Sequence, residues 1–516
     1  MSEEPTLDPA ALAVLIARLT GVAEEMGAVL RRGAFSPNIK ERADCSAALF
    51  TADGTLLVQA EHIPVHLGSM PASVRAAIDA LGAHPEPGVQ VIVNDPFAGG
   101  THLNDVTLVA PCHAGGRLVG WAANRAHHAD LGGAAPGSLP ADAVEVQQEG
   151  LRIPPVRFTP EVREILVASS RTPEERRGDI DAQVGANVVG VARLAELAAA
   201  PLDEVVAYGE RRMRAALAAL PDGEWEATDV LDSFGSAPEQ RQPTTIRVRV
   251  RIDGDHVTFD LTGSDPQRRG NVNAVEAVTV SAAVFALRCA LDPTVPANGG
   301  GLRVVEVIAP PGSVVAALPP AAVGAGNVEV SQRVADVCLA ALAGAVPDRL
   351  GAASQGTMNN LLLGGEGWVY YETVAGGQGG RPGPGGGRPG ASGIHTGMTN
   401  TRNTPVEALE RAFPLRVLRS RLRRGSGGAG SAPGGEGIER DLQVLEDATL
   451  SLITERRTTP PWGLAGGGPA AVGEGWLLPD GDEERAERLP DKCTRRLRAG
   501  DVLRMRTPGG GGWGEA

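Results

Sequence analysis

Seven of the nine histidines in the chain fall between residues 62 and 128: His62, His66, His84, His102, His113, His127 and His128. Three groups set imidazole beside carboxylate. They are Glu61-His62 with His66 four residues on, His102 with Asp105, and His127-His128 with Asp130. A supply of imidazole and carboxylate without thiolate suits Mn, Zn or Fe. The five cysteines, Cys45, Cys112, Cys289, Cys338 and Cys493, are scattered without a Cys-x-x-Cys pair, so neither a cysteine-rich zinc site nor a disulfide framework is indicated. Other chemistry is missing. Only Lys40 and Lys492 are lysines and neither follows a glycine, which excludes the Gly-Lys-Ser/Thr phosphate loop, and no Gly-x-Ser-x-Gly elbow occurs.

A hairpin positions these groups. The segments DVTLVAPCHA and RLVGWAANRA are both strand-like and flank Gly115-Gly116, so they should pair antiparallel around a two-residue turn. With Ala114 facing Arg117, Asp105 falls opposite Ala126, and His127 opposite Asn104. His102, Asp105, His127, His128 and Asp130 then converge at one end of the hairpin. A slip of one residue exchanges which of His127 and His128 shares a face with Asp105, and spacing leaves both open. Such a cluster is costly to hold together without a cation. His84, His113 and His256 read as ordinary histidines that cap turns or satisfy carbonyls. His62 and His66 would share a face only in a helix, which Pro64 opposes, and either reads as support for a ligand.

The rest of the chain reads as a mixed α+β fold. Asp8 as N-cap and Pro9 begin a long amphipathic helix that runs to Gly33. Residues 160–220 are helical in character, alternation near Thr244 announces a new sheet, and residues 327–346 read as another helix. From residue 351 the chain turns glycine-rich, with the insert GGQGGRPGPGGGRPGASG expected to be a mobile loop or a backbone surface approached by a ligand. Three regions follow: an N-terminal α+β region with the candidate metal site over 1–240, a central sheet plus helix over 241–350, and a mainly β region over 351–516. Of 516 residues 48 are Lys or Arg and 62 Asp or Glu, a net charge of -14 that disfavours nucleic acid and anionic membranes as partners. The N-terminus lacks the basic and apolar regions of a signal peptide, and no apolar run reaches about 18 residues, so a cytoplasmic protein is expected.

Several long motifs carry a resemblance: EHIPVHLGSM, NDPFAGGTHLNDVTLVAP, GDIDAQVGAN, NVEVSQRVADV, GTMNN, HTGMTNTRNTPVEALE and the closing TPGGGGWG. The chain resembles the hydantoinase B/oxoprolinase family over nearly its whole length. The resemblance implies the B-type subunit of an ATP-dependent cyclic-amide hydrolase of the hydantoinase or 5-oxoprolinase type. Its hetero-oligomeric partner would be an A-type subunit that uses ATP and Mg to phosphorylate a small-molecule substrate. It also implies a divalent metal, Mn or Zn, held by Glu61, His102, Asp105 and His127. His128 or Asp130 would orient water or a ligand, and Asn359, Asn360, Asn400 and Arg402, on polar loops, are candidates for substrate contact. A ketone carboxylase subunit, or a scaffold without chemistry of its own, are the alternatives. Two stretches depart from the family pattern: the frequent His-Thr-His-Met is His395-Thr-Gly-Met398 here, and a shorter Arg-Pro-Gly stretch is expanded around residues 378–390.

Overall fold

The computed structural model describes residues 7–516 except Glu61, His62, Leu67 and Ala83. The chain is a mixed α+β protein, as expected. The helix Pro9–Gly33 starts where the Asp8 carboxylate accepts from the backbone N–H groups of Ala10 and Ala11. Its apolar stripe, with Leu15, Leu19, Met26 and Leu30 buried, packs along the helix Pro173–Ala195.

Both helices lie on one face of an antiparallel six-stranded sheet. Its order is Leu56–Ala60, Cys45–Thr51, Arg117–His127, Asp105–Ala114, Val91–Val93, Val156–Arg157. The period of two along Cys45–Thr51 sends Ala47 and Leu49 to the helices, and Ala48 and Phe50 to the opposite face, where the helix Met70–Leu81 packs. A sheet covered on both sides can keep charged groups dry, and this one carries the histidine cluster.

The second sheet begins earlier than expected. The strand Gly223–Leu231 pairs with Thr244–Asp253, so a boundary at 240 falls between two strands of one sheet. Along Thr244–Asp253, Ile246, Val248, Val250 and Ile252 are buried while Arg247, Arg249 and Arg251 face solvent. The helix Ser331–Ala345 covers the buried side, and the helix Glu276–Ala290 packs against it in the same core. Two further sheets, centred on Asn360–Gly365 with Ala448–Ile453 and on Ile438–Val444 with Val502–Arg506, share a core that includes Leu361, Leu450, Leu442 and Leu503.

The glycine-rich segments, expected as a mobile loop or a surface approached by a ligand, pack on one another. They lie side by side and bond laterally through the backbone: Gly380 N–H to Gly511 O, Gly510 to Gly435, Gly435 to Gln378, Gly428 to Gly510, Gly512 to Gly468. What approaches this backbone closely is more backbone from residues far along the chain.

Candidate metal centre

The hairpin of Asp105–Ala114 and Arg117–His127 turns at Gly115-Gly116, both at positive φ, and opens in the expected register with Ala114 opposite Arg117 and His113 opposite Leu118. A bulge between Cys112 and His113 then shifts the pairing by one residue. Asp105 therefore faces His127 directly and not Ala126, and directly opposed residues share a face. His127 Nδ1 lies 3.3 Å from Asp105 Oδ1. His102, in the turn that opens the strand, brings its Nε2 to 3.1 Å from the same oxygen. His66 sits on a short helical turn, Pro64–His66, and places Nε2 at 3.4 Å from Asp105 Oδ2 while its Nδ1 meets Ser46 Oγ at 3.0 Å. Thr101 Oγ1 donates to Asp105 Oδ2 at 2.8 Å, and the Asn327 amide does so at 3.2 Å. Asn327 arrives from a π turn, Gly326–Val330, that leads into the helix Ser331–Ala345.

His66, His102, Asp105 and His127 are all buried. Burial alone would raise the Asp105 carboxyl, but the charge of His102 and hydrogen bonds from His102, His127 and His66 hold it well below the usual carboxylate range. Burial pushes His127 down, so its imidazole is neutral near pH 7. Among the described residues, His102 Nδ1 and His127 Nε2 have no hydrogen-bond partner, and His102 Nε2 has only the Asp105 carboxylate beside it. His102, Asp105 and His127 each offer a ligand atom, and these atoms lie within 4.8 Å of one another. Buried lone pairs gathered around one carboxylate without partners are what a cation would satisfy, and the mixed N/O set suits Mn or Zn over Mg. The residues fit the metal that the resemblance implies. Glu61, the fourth expected ligand, lies outside the described residues, as does His62.

The other expected positions separate. Both ring nitrogens of His128 are engaged, Nδ1 by Arg176 at 2.8 Å and Nε2 by Gln183 at 2.9 Å, and burial with the Arg176 charge pushes its pKa down to about 4. Asp130 accepts from Gly137, from the Arg171 backbone and from the Arg171 guanidinium at 2.8 Å, and so ties a turn to the segment before a helix. Asn359 is satisfied by Gln355, Val374 and Arg457, and Asn360 by Glu329, Ile453 and Tyr371, which makes both internal braces. Asn400 and Arg402 are exposed on a loop whose Arg402 N–H bonds Arg42 O. His84 is exposed.

Sequence reasoning did not find Tyr371, whose ring stacks on His127 with centroids 4.8 Å apart. The Arg42 guanidinium lies 4.8 Å from the same ring and donates to Tyr371 O at 2.7 Å. Tyr371 is on a strand more than 240 residues from His127, and no local pattern announces the pairing. Asn327 and Glu329 stood inside the motif NVEVSQRVADV, in which no single residue had an assigned role.

Comparison with known proteins decides the lineage. The profile of the hydantoinase B/oxoprolinase family matches residues 8–516. The chain belongs to the hydantoinase B/oxoprolinase family. It is 31% identical to a Pseudomonas sp. protein named as the B-type subunit of a D-/L-hydantoinase, covering 98% of this chain and 90% of that one. It is 36% identical to a 5-oxoprolinase of Dictyostelium discoideum over 99% of this chain, but spans only 40% of that protein's length. An ATP-dependent caprolactamase from Pseudomonas jessenii has a similar structure, with a TM-score of 0.90, 27% identity, and 99% and 92% of the two chains covered. Among the described residues, no helix is long and apolar enough to cross a membrane.

Proposed function

We propose that this chain is the metal-bearing B-type subunit of an ATP-dependent cyclic-amide hydrolase, working with an A-type subunit that phosphorylates the substrate. The observation that carries the reading is the buried His102–Asp105–His127 cluster, in which His102 Nδ1 and His127 Nε2 have no partner among the described residues, in a chain whose relatives include proteins named hydantoinase, 5-oxoprolinase and caprolactamase. The chain spans two-fifths of that 5-oxoprolinase, and a separate polypeptide would supply what the remaining length does there.

A lactam is a poor electrophile, and phosphorylation of its oxygen by ATP gives an imidate-like ester with release of ADP. Water adds to the imidate carbon, the C–N bond breaks as nitrogen takes a proton, and the acyl phosphate left behind is hydrolysed by a second water to carboxylate and inorganic phosphate. A divalent cation at His102, Asp105 and His127, with Glu61 as a further ligand, would supply Lewis acidity and a more acidic water. The chain's own residues hold that place in shape. Thr101 and Asn327 orient the Asp105 carboxylate, Ser46 orients His66, and Tyr371, backed by Arg42, fixes the plane of the His127 ring. Six-stranded packing on both faces keeps bulk water out. The test is reconstitution: this chain, the A-type subunit, ATP and Mn or Zn with 5-oxoproline or a hydantoin should yield ring-opened product and ADP. No turnover over a broad lactam panel contradicts the reading, and turnover of a ketone that requires bicarbonate moves the chain to the carboxylases.

A further inference from the structure

Six side chains stand in two rows on the sheet face that carries the metal cluster. Asp105 and Thr107 come from one strand, with His127 and Arg125 opposite them on the next. On the third strand Cys45 pairs with Ala126 and Ser46 with Arg125, and the His127 N–H donates to Asp44 O at 3.0 Å, which continues that register by one residue. Asp44 therefore stands directly across from His127, on the side away from Asp105. Directly opposed residues share a face, with Cβ atoms about 4.5–5.5 Å apart. Ser46, two residues on and so on the same face, confirms the parity, because its Oγ meets His66 Nδ1 at 3.0 Å.

Five of the six are engaged on that face. Arg125 donates to Thr107 Oγ1 at 2.8 Å, Ser46 and Asp105 both meet His66, and His127 Nδ1 faces Asp105. Asp44 differs: it is only 7% exposed, yet its carboxylate makes no hydrogen bond or ion pair among the described residues. Its backbone is held on both sides, since the Asp44 N–H donates to Asn38 O at 3.0 Å while its carbonyl takes the His127 N–H. Burial pushes the His127 pKa down, and the Asp44 charge is one of those that oppose the shift. The same charge reaches Tyr371, whose hydroxyl burial raises. A nearly buried carboxylate without a partner is costly, and a fold keeps one where there is something for it to accept.

The unspent donor beside it is on His127. With Nδ1 turned to Asp105 Oδ1, the ring's Nε2 has no partner among the described residues. An imidazole that ligates a metal through one nitrogen carries its proton on the other, and that proton goes to a carboxylate, a carbonyl or water. Asp44 is not among the described residues whose ligand atoms gather within 4.8 Å, so it does not share the cation with them. We propose that Asp44 is a positioning residue of the metal centre: with His127 ligating through Nδ1, the Asp44 carboxylate accepts the Nε2–H and fixes the tautomer of that ring. The assignment rests on the metal-bearing reading of the site and is independent of which substrate is hydrolysed there.

Two measurements on the full chain, freed of metal with a chelator and used without partner or ATP, test it. The first is zinc affinity by competition with a chromophoric chelator. Asp44→Ala should weaken zinc binding about ten- to a hundredfold, and Asp44→Asn, which keeps an acceptor oxygen without the charge, about fivefold or less. Both replacements keep the backbone bonds of residue 44, so their circular-dichroism spectra should match the parent. The second is heteronuclear NMR of the zinc-loaded chain with isotope-labelled histidine. The parent should show His127 protonated at Nε2, and Asp44→Ala should speed the exchange of that proton with solvent, a change that a merely structural role for Asp44 does not bring. Unaltered zinc affinity in Asp44→Ala, or a parent that carries the His127 proton on Nδ1, overturns the assignment and leaves the metal centre standing. A parent that takes up no zinc overturns both.

Discussion

His127 and His128 are neighbours in sequence with opposite surroundings. One ring faces Asp105 and Tyr371, the other is locked between Arg176 and Gln183. Substituting His128→Ala should lower stability by about 1–3 kcal/mol, because it leaves buried partners unsatisfied, while metal content stays at the parental level. Denaturant unfolding with elemental analysis of the same samples checks both halves, and loss of metal with His128→Ala would contradict the geometry. His84→Ala, at an exposed position, should change neither quantity. The donor types and their convergence were legible from composition and hairpin pattern alone. Which histidine faces Asp105 was not, because a single-residue bulge has no signature in the residues around Cys112. His66 was legible only as a supporting group: Pro64 opposes a long helix, yet proline is compatible with the first position of the short turn that delivers His66 to Asp105.

Elements that depend on local pattern, such as the capped helix Pro9–Gly33, the Gly115-Gly116 hairpin and the alternating strand Thr244–Asp253, were readable in advance. The glycine-rich segments were not, since hydrogen-bond partners such as Gly380 and Gly511 lie 131 residues apart and glycine leaves no side-chain pattern to follow. Their packing makes a sharp expectation. A Cβ at Gly434 would overlap the carbonyl oxygen of Gly510, and one at Gly511 that of Trp462. Since the obstacle is backbone, neither can turn aside. Gly434→Ala and Gly511→Ala should each cost about 3 kcal/mol or more. Gly21→Ala, in an exposed helical position with open space around the new methyl, should instead gain about 0.5–1 kcal/mol. Thermal midpoints of the three variants decide it, and an unchanged midpoint for Gly434→Ala would mean that the segments do not pack this way.

At the scale of the whole molecule, buried charge joins the central helix to the C-terminal sheets. Arg456 reaches both Asp229 at 2.7 Å and Asp336 at 2.6 Å, and Glu329 accepts from Thr357, Met358 and Asn360. Burial, followed by the nearby Glu455 charge, raises the Glu329 carboxyl from 4.5 to about 8. A group raised on folding holds its proton in the native state where the unfolded chain has lost it. Its contribution to stability is therefore complete below about pH 4.5 and lost as pH rises to about 8. Glu329→Gln, which cannot ionise, should flatten the fall of the thermal midpoint over that window, and a variant that keeps the parental slope would show that Glu329 is ionised in the native protein. None of this long-range pairing was legible beforehand, because each ion pair joins segments that only the finished fold brings together.

Elemental analysis of the purified chain bears most directly on the central claim, that His102, Asp105 and His127 form a metal centre. The parent and His128→Ala should carry stoichiometric Mn or Zn, and Asp105→Ala and His102→Ala should carry none while keeping the parental circular-dichroism spectrum. A parent free of metal even beside its A-type subunit, or an Asp105→Ala variant that holds as much as the parent, would contradict it.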